Sequence, residues 1–115
     1  MSEAIAFLER VKSRLLSTGW RKYGLGNPEG PNCLVGAAYW ETWLLHGNTY
    51  SSWTYSANEQ WALIALWGFD YKLDDTFYSA LEKLTNWNDE DHRTFNEVIA
   101  RIDDAIVRLK EEEAA

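Results

Sequence analysis

The stretch Gly30-Pro-Asn-Cys-Leu-Val-Gly-Ala-Ala-Tyr-Trp-Glu-Thr-Trp-Leu-Leu45 decides the fold that we expect. It is apolar on nearly every side of a helix, which predicts a buried central helix rather than a surface one. Asn32 is placed to cap this helix, and His46-Gly47-Asn48 should end it. The small residues at 36–38 should let a neighbouring helix approach closely. The rest of the chain is therefore expected to pack around this element.

Two further helices are predicted on either side of it from apolar residues that recur three or four positions apart. The first begins at Ser2, which can act as a cap, and ends at Gly19. Another follows the capping box Ser56-Ala57-Asn58-Glu59 and stops at Gly68. Both have clear polar starts and glycine stops, so their existence follows from local sequence alone.

The C-terminal part of the chain predicts two more helices. Asp74 or Asp75 caps one of them, and a polar loop over residues 85–93 follows it. The last helix starts at a second capping box, Thr94-Phe95-Asn96-Glu97, and residues 110–115 are expected to fray. The predicted fold is an all-α, compact single-domain bundle of about five helices with aromatic loops, in which a short β-hairpin over Thr49–Tyr55 is an alternative for one loop.

Length and charge limit the classes of function. The chain has 115 residues, which is the size of one domain, and a formal net charge of -7. Because nonspecific nucleic-acid binding depends on Lys and Arg, we expect no direct nucleic-acid partner, and no binding to an anionic membrane surface. A protein partner with a basic surface fits this charge better, although acidity can also serve only solubility.

The remaining composition predicts a cytoplasmic protein without a cofactor. The single cysteine excludes an internal disulfide and a multi-cysteine zinc site. No calcium loop, phosphate loop or zinc-protease motif is present, so we expect neither metal nor cofactor. The chain has no apolar run near the ~20 residues of a membrane span, and its first residues are acidic where a signal peptide is basic.

Cys33 is the residue at which covalent chemistry is conceivable, because the start of a helix stabilises a thiolate. A nucleophilic cysteine needs a histidine as its base. His46 lies at the far end of the same helix, roughly 20 Å away, which leaves His92 as the only candidate. A Cys33-dependent hydrolase using His92 is therefore one hypothesis, and a buried, inert thiol is the alternative that we favour.

Six residues could form a pocket for a small, nucleotide-like ligand. Aromatic rings stack on bases and cationic side chains bind phosphates, and Trp53 would add a further ring. The alternative for the segment around residues 87–94 is a helix-entry cap. The candidate ligand-binding residues are Trp20, Arg21, Lys22, Trp87, Asn88 and Arg93.

The loop Thr49–Tyr55 has the Tyr, Ser and Trp composition of binding loops. Its aromatic side chains could anchor a protein partner, while neighbouring acidic residues steer the encounter with a basic surface. The candidate partner-binding residues are Tyr50, Trp53, Tyr55, Asp70, Asp74 and Asp75.

Four short motifs also resemble a known family. They are Gly19-Trp20, Gly30-x-x-Cys33-Leu34-x-Gly36-Ala37, Trp87-Asn88-Asp89 and Arg93-Thr94-x-x-Glu97-Val98. In order and spacing they resemble a family of small proteins from actinobacteria and their phages, known only as a domain of unknown function. The chain differs from the family in its many Trp and Tyr residues between Tyr39 and Tyr71, and in His92.

The resemblance implies no established activity, but the phage association implies a specific role. We expect a non-enzymatic, acidic interaction protein. If it is phage-encoded, as the resemblance implies, it would be an inhibitor of a host nucleic-acid-targeting defence enzyme, similar in action to an anti-CRISPR protein, in the host cytoplasm. It would act by docking on a basic groove of that enzyme. The small-ligand protein and the Cys33 hydrolase remain the alternatives.

Overall fold

Five α-helices make up the bundle. The computed structural model describes residues 2–46, 55–68 and 77–114, and within these ranges it contains no β-strand. The prediction of an all-α bundle of about five helices is therefore confirmed. The hairpin considered for Thr49–Tyr55 and the caps at Asp74 and Asp75 lie outside the described residues, Tyr55 excepted. The helices are α1 Glu3–Thr18, α2 Leu34–His46, α3 Ala57–Trp67, α4 Phe77–Asp89 and α5 Phe95–Ala114.

The apolar stretch quoted first forms α2, and its N-terminal half is buried on all sides. Its main helix neighbours are α1 and α4. By contrast, α1 packs against α2, α3 and α5, and α3 packs against α1, α4 and α5. The bundle is therefore not organised around α2 alone, because α1 and α3 each connect three helices.

A loop, not a helix, fills the space beside Gly36. A Cβ atom at Gly36 would lie 2.7 Å from the Cα of Leu25. The loop that carries Leu25 is held at both ends, since Arg21 N donates to Asn32 O (3.0 Å) and Asn32 N donates to Gly19 O (3.1 Å). The expectation of close helix contact at residue 36 is replaced by close contact with loop backbone.

The cap predicted for α2 is wrong. The Asn32 side chain turns back into the loop, where its Nδ2 donates to Leu25 O and Asn27 O at 2.9 Å each. Cys33 takes the cap position, and its Sγ accepts a hydrogen bond from Gly36 N at 3.2 Å. The prediction failed because Asn stabilises turns as readily as it caps helices, and here its side chain bonds to the loop before the helix.

The other predicted starts are confirmed by their hydrogen bonds. Ser2 Oγ accepts from Ile5 N at 3.1 Å. The pairs Ser56–Glu59 and Thr94–Glu97 each exchange two bonds between a hydroxyl, a carboxylate and the two backbone N–H groups. These motifs were predictable because each is complete within four residues.

One helix end differs from the prediction. Helix α4 continues through Asp89, so the loop predicted to start at Thr85 is helical over its first five residues. Helix α5 is described through Ala114, and the fraying expected for residues 110–115 stays a prediction. In α4 the extension buries Asn88 and packs Trp87 against the core, which local polarity does not reveal.

Candidate functional site

Asn88 joins three parts of the chain and is completely buried. Its Oδ1 accepts from Trp20 Nε1 (2.6 Å) and from Leu34 N (3.0 Å) at the start of α2. Its Nδ2 donates to Arg21 O (3.2 Å) and to Asp89 Oδ1 (2.9 Å). All of its bonding capacity is used within the protein, so Asn88 holds structure and offers nothing to a ligand.

The loop residues predicted for the ligand pocket, Trp20 and Lys22 above all, also make contacts within the protein. The Trp20 ring stacks on Phe95 with centroids 6.0 Å apart. The Lys22 ammonium donates to Glu90 O (2.6 Å) and Asp91 O (2.8 Å), just after α4. The Arg21 side chain is exposed, and its one hydrogen bond in the described chain runs from Nε to the neighbouring Lys22 O. The structure therefore does not bring these three residues into one pocket with Trp87 and Arg93.

Cys33 and His92 lie in different environments. The thiol is 2% exposed, and burial raises its pKa above that of an ordinary cysteine. The His92 side chain is 76% exposed and faces Glu90, 3.4 Å away. A protonated, buried thiol without an adjacent base lacks both features of a nucleophilic cysteine.

Trp87 and Arg93 do line a cleft, and Arg93 stacks closely on the Trp87 ring. Its guanidinium carbon lies 4.0 Å from the ring centroid. All three nitrogens of the guanidinium are bonded, to Trp87 O (2.9 Å), Glu97 (2.9 Å) and Glu90 (2.6 Å). Arg93 thus locks the turn between α4 and α5, and it pairs with glutamates rather than with the neighbouring aspartates.

Arg101 extends this contact into an alternating row of cations and rings. Its guanidinium carbon lies 4.9 Å from the Trp87 centroid and 5.2 Å from that of Trp67. Its Nε donates to Leu66 O (2.8 Å) and its Nη2 to Trp67 O (3.0 Å), at the C-terminal end of α3. Lys83 continues the row on Trp67, at 5.7 Å. Each contact is a cation–π pair, and together they fix Arg101 in one position.

The cleft beside Trp87 has a volume of about 290 Å³. Burial, together with the positive charges of Arg108 and Arg93, lowers the pKa of Arg101. Three guanidinium groups therefore converge on one small cavity of an acidic protein. Its lining residues are Trp87, Arg93, Glu97, Ala100, Arg101, Asp104 and Arg108.

A second cleft of about 490 Å³ lies between the start of α1, the end of α2 and the start of α3. His46 Nε2 is 3.0 and 3.2 Å from the two carboxylate oxygens of Glu59, which is 3% exposed. Ser56 N also donates to this carboxylate at 2.8 Å. The pair completes the start of α3 and ties it to the end of α2.

The predicted partner-binding residues fall mostly outside the described chain. Tyr55 is described and is 6% exposed, with its ring 5.0 Å from that of Phe77, so it is a core residue and not an exposed anchor. Burial raises its pKa, which agrees with that position. The others, Tyr50, Trp53, Asp70, Asp74 and Asp75, lie outside the described residues.

Most basic side chains of the described chain are used internally. The Arg14 side chain is 8% exposed and binds Glu41 and Pro28 O at 2.7 Å each. Lys12 pairs with Asp103 at 2.8 Å, and three further cations bind carbonyls or glutamates as above. Seven exposed carboxylates make no hydrogen bond or ion pair in the described chain: Glu9, Glu29, Glu82, Asp104, Glu111, Glu112 and Glu113.

The sequence patterns did not single out Arg101 and Arg108 as candidates. Their spacing of seven places both on one side of α5, which is a signal present in the sequence. The rings that Arg101 contacts, Trp67 and Trp87, come from two other helices. The His46–Glu59 pair was missed as well, because nothing local links the end of one helix to the start of the next.

Two negative findings bear on function. Within residues 2–46, 55–68 and 77–114, no group of three or more His, Cys, Asp or Glu side chains is placed to hold a metal ion. None of the helices there is long and apolar enough to cross a membrane.

One comparison with known proteins bears out membership of an uncharacterised family. No curated protein and no solved structure matches the chain significantly. A family model described as a family of unknown function, DUF6197, matches residues 1–108, which is nearly the whole chain. The protein therefore belongs to the DUF6197 family, whose function is unknown.

Proposed function

We propose that the protein is a non-enzymatic interaction protein whose acidic surface docks on a basic surface of a protein partner. The observation that carries the proposal is the unequal use of charge. Basic side chains are mostly bound to carbonyls and carboxylates inside the molecule, whereas many carboxylates face solvent without a partner. The electrostatic potential at the protein surface is therefore negative, which favours association with a basic surface.

The environment of Cys33 also supports a binding role. The Cys33 thiol is buried with a raised pKa, and the only histidine that sequence left as its base is exposed beside Glu90. The described residues thus favour binding over covalent chemistry. The Cys33 hydrolase is therefore the weaker alternative.

The partner contacts remain sequence-based. We keep Tyr50 and Trp53 as aromatic anchors, with Asp70, Asp74 and Asp75 as the acidic flank, and remove Tyr55 because it is buried. Aromatic anchors supply most of the affinity in such interfaces, and charge mainly accelerates the encounter. The resemblance to phage proteins makes a host nucleic-acid-targeting defence enzyme the partner class that we propose.

Affinity capture from the native host, followed by mass spectrometry, tests the proposal. We expect a partner with a basic surface that is retained at low salt and released as salt rises, because screening weakens the attraction. Trp53→Ala should reduce retention by about tenfold or more, as loss of an anchor does. Glu29→Gln, which removes one exposed charge far from the anchors in sequence, serves as the control.

Two outcomes would reject this function. One is capture in which no basic protein is enriched over a column carrying an unrelated acidic protein of equal charge. The other is a basic partner whose retention is the same for Trp53→Ala, for Asp74→Asn with Asp75→Asn, and for the unchanged protein. In that second case binding would be nonspecific attraction by net charge.

A further inference from the structure

The cleft beside Trp87 concentrates positive charge in a protein of net charge -7. Three guanidinium groups and two carboxylates line it. Of the carboxylates, Glu97 accepts hydrogen bonds from the backbone N–H and the hydroxyl of Thr94 and pairs with Arg93. These contacts, the Thr94 backbone bond most of all, lower the pKa of Glu97. Asp104 makes no ion pair with any described residue. Among the residues that line the cleft, positive charges exceed negative charges by one, and the second carboxylate bound to Arg93, that of Glu90, is not part of the lining.

Two of the three arginines have a guanidinium nitrogen that makes no hydrogen bond with a described residue. Each of the three nitrogens of Arg93 makes one hydrogen bond, as described above. Arg101 uses Nε and Nη2, which leaves the two N–H groups of Nη1. Arg108 is exposed and makes no hydrogen bond or ion pair with a described residue, although its Nη1 lies near the end of α3, 3.7 Å from a Cβ built on Gly68. Arg101 is fixed by its two rings, whereas Arg108 is available.

The contacts of the Trp87 ring limit the chemical class of ligand that the cleft can bind. Arg93 and Arg101 lie 4.0 and 4.9 Å from the ring centroid, and the ring packs against the core. These contacts take up ring surface on which a nucleobase would otherwise stack. The cleft volume of about 290 Å³ is at the lower end of the range for small-molecule sites. A compact anion therefore fits better than a nucleotide base.

We propose that this cleft binds a phosphate group, held between Arg108 and the free Nη1 of Arg101. A guanidinium fork matches phosphate oxygens bidentately, and a dianion gains from two such forks, whereas one carboxylate satisfies a single fork. Arg93 is a positioning residue, since it stacks on Trp87 and each of its guanidinium nitrogens is already bonded to a carbonyl or a glutamate. The site is separate from the docking residues of the proposed function and does not depend on them.

Calorimetric titration with inorganic phosphate tests the site, with ionic strength held constant by chloride. We expect saturable binding that Arg108→Gln weakens by about tenfold or more, because a charge-assisted hydrogen bond is worth at least that factor. Lys110→Gln, the same charge change two residues further along α5, should keep binding within about twofold. Both side chains are exposed, so unfolding midpoints should stay equal to that of the unchanged protein.

Further titrations separate the sources of the phosphate group. Adenosine monophosphate should bind as inorganic phosphate does, and adenosine alone should not bind. Acetate should bind at least several-fold more weakly than phosphate. The proposal is overturned if phosphate gives no saturable heat, if Arg108→Gln and Lys110→Gln lose affinity equally, or if adenosine competes with phosphate.

Discussion

At the scale of single residues, Asn88 shows how one side chain can fix three segments. It accepts from the Trp20 ring and from the first N–H of α2, which would otherwise lack an acceptor. It also donates to the Arg21 carbonyl. An aspartate or leucine of similar size could not supply both acceptors and donors at this buried point.

Replacing Asn88 by alanine should therefore destabilise the protein strongly. Trp20 Nε1 and Leu34 N would both lose their acceptor, and each unsatisfied donor costs about 1–3 kcal/mol, so we expect a loss of about 3 kcal/mol. Urea unfolding at neutral pH measures this free energy. Asn86→Ala is the matched control, because Asn86 is exposed on the same helix and should change stability by less than about 0.5 kcal/mol. Equal effects of the two substitutions would contradict the role given to Asn88.

The importance of Asn88 could be predicted from the sequence, but its hydrogen-bond partners could not. Asn88 was selected as a ligand-binding candidate because of its type and its neighbours. Its real contacts are 54 and 68 positions away, so only the tertiary structure reveals them. Cys33 differs, because its burial followed from the apolar stretch around it, and the choice of an inert thiol rested on that local signal.

At the scale of elements, the predictions succeeded where the signal is local. Both capping boxes bond as expected, since all of their atoms lie within one turn. The predicted end of α4 was wrong because the polar run from Thr85 onward resembles a loop. Contacts with α2, α5 and the Trp20 loop keep Trp87 and Asn88 in the helix. Tertiary contacts there outweigh local polarity.

Gly36 joins two elements, and its substitution tests the contact between α2 and the loop. Alanine favours a helix by about 1 kcal/mol over glycine, so Gly36→Ala would stabilise an isolated helix. In the protein the new Cβ would lie 2.7 Å from Leu25 Cα, against backbone that cannot rotate away. Because overpacking costs about 1–3 kcal/mol, which exceeds the gain of about 1 kcal/mol in helix propensity, we expect net destabilisation of about 1 kcal/mol in urea unfolding.

The exposed Ser13→Ala substitution in α1 is the comparison for helix propensity alone. It should be neutral or slightly stabilising, since alanine is the better helix former and no described contact is lost. If Gly36→Ala stabilised the protein, the loop that carries Leu25 would have to shift away from α2 at little cost. The close contact between Leu25 and α2 would then not constrain the fold.

At the scale of the whole molecule, the distribution of charge sets two opposing effects. The net charge of -7 repels anions at long range, while the guanidinium groups of the Trp87 cleft attract them at short range. The radius of gyration is 13.2 Å. The Debye length is about 30 Å at 0.01 M salt and about 8 Å at 0.15 M, so only in dilute salt does a bound anion interact with the whole molecule.

Phosphate affinity should therefore rise several-fold when salt is raised from about 0.01 to 0.15 M, opposite to an ordinary basic site. Screening removes the repulsion by distant carboxylates first, because the contacts to Arg101 and Arg108 are shorter than either Debye length. Glu9→Gln with Glu29→Gln removes two exposed charges that do not line the cleft. This variant should bind phosphate more tightly than the unchanged protein at low salt and equally at high salt, measured by the same calorimetric titration. An affinity that falls steadily with salt in both proteins would mean that the local charges alone control binding, and that the acidic surface does not extend its field to the cleft.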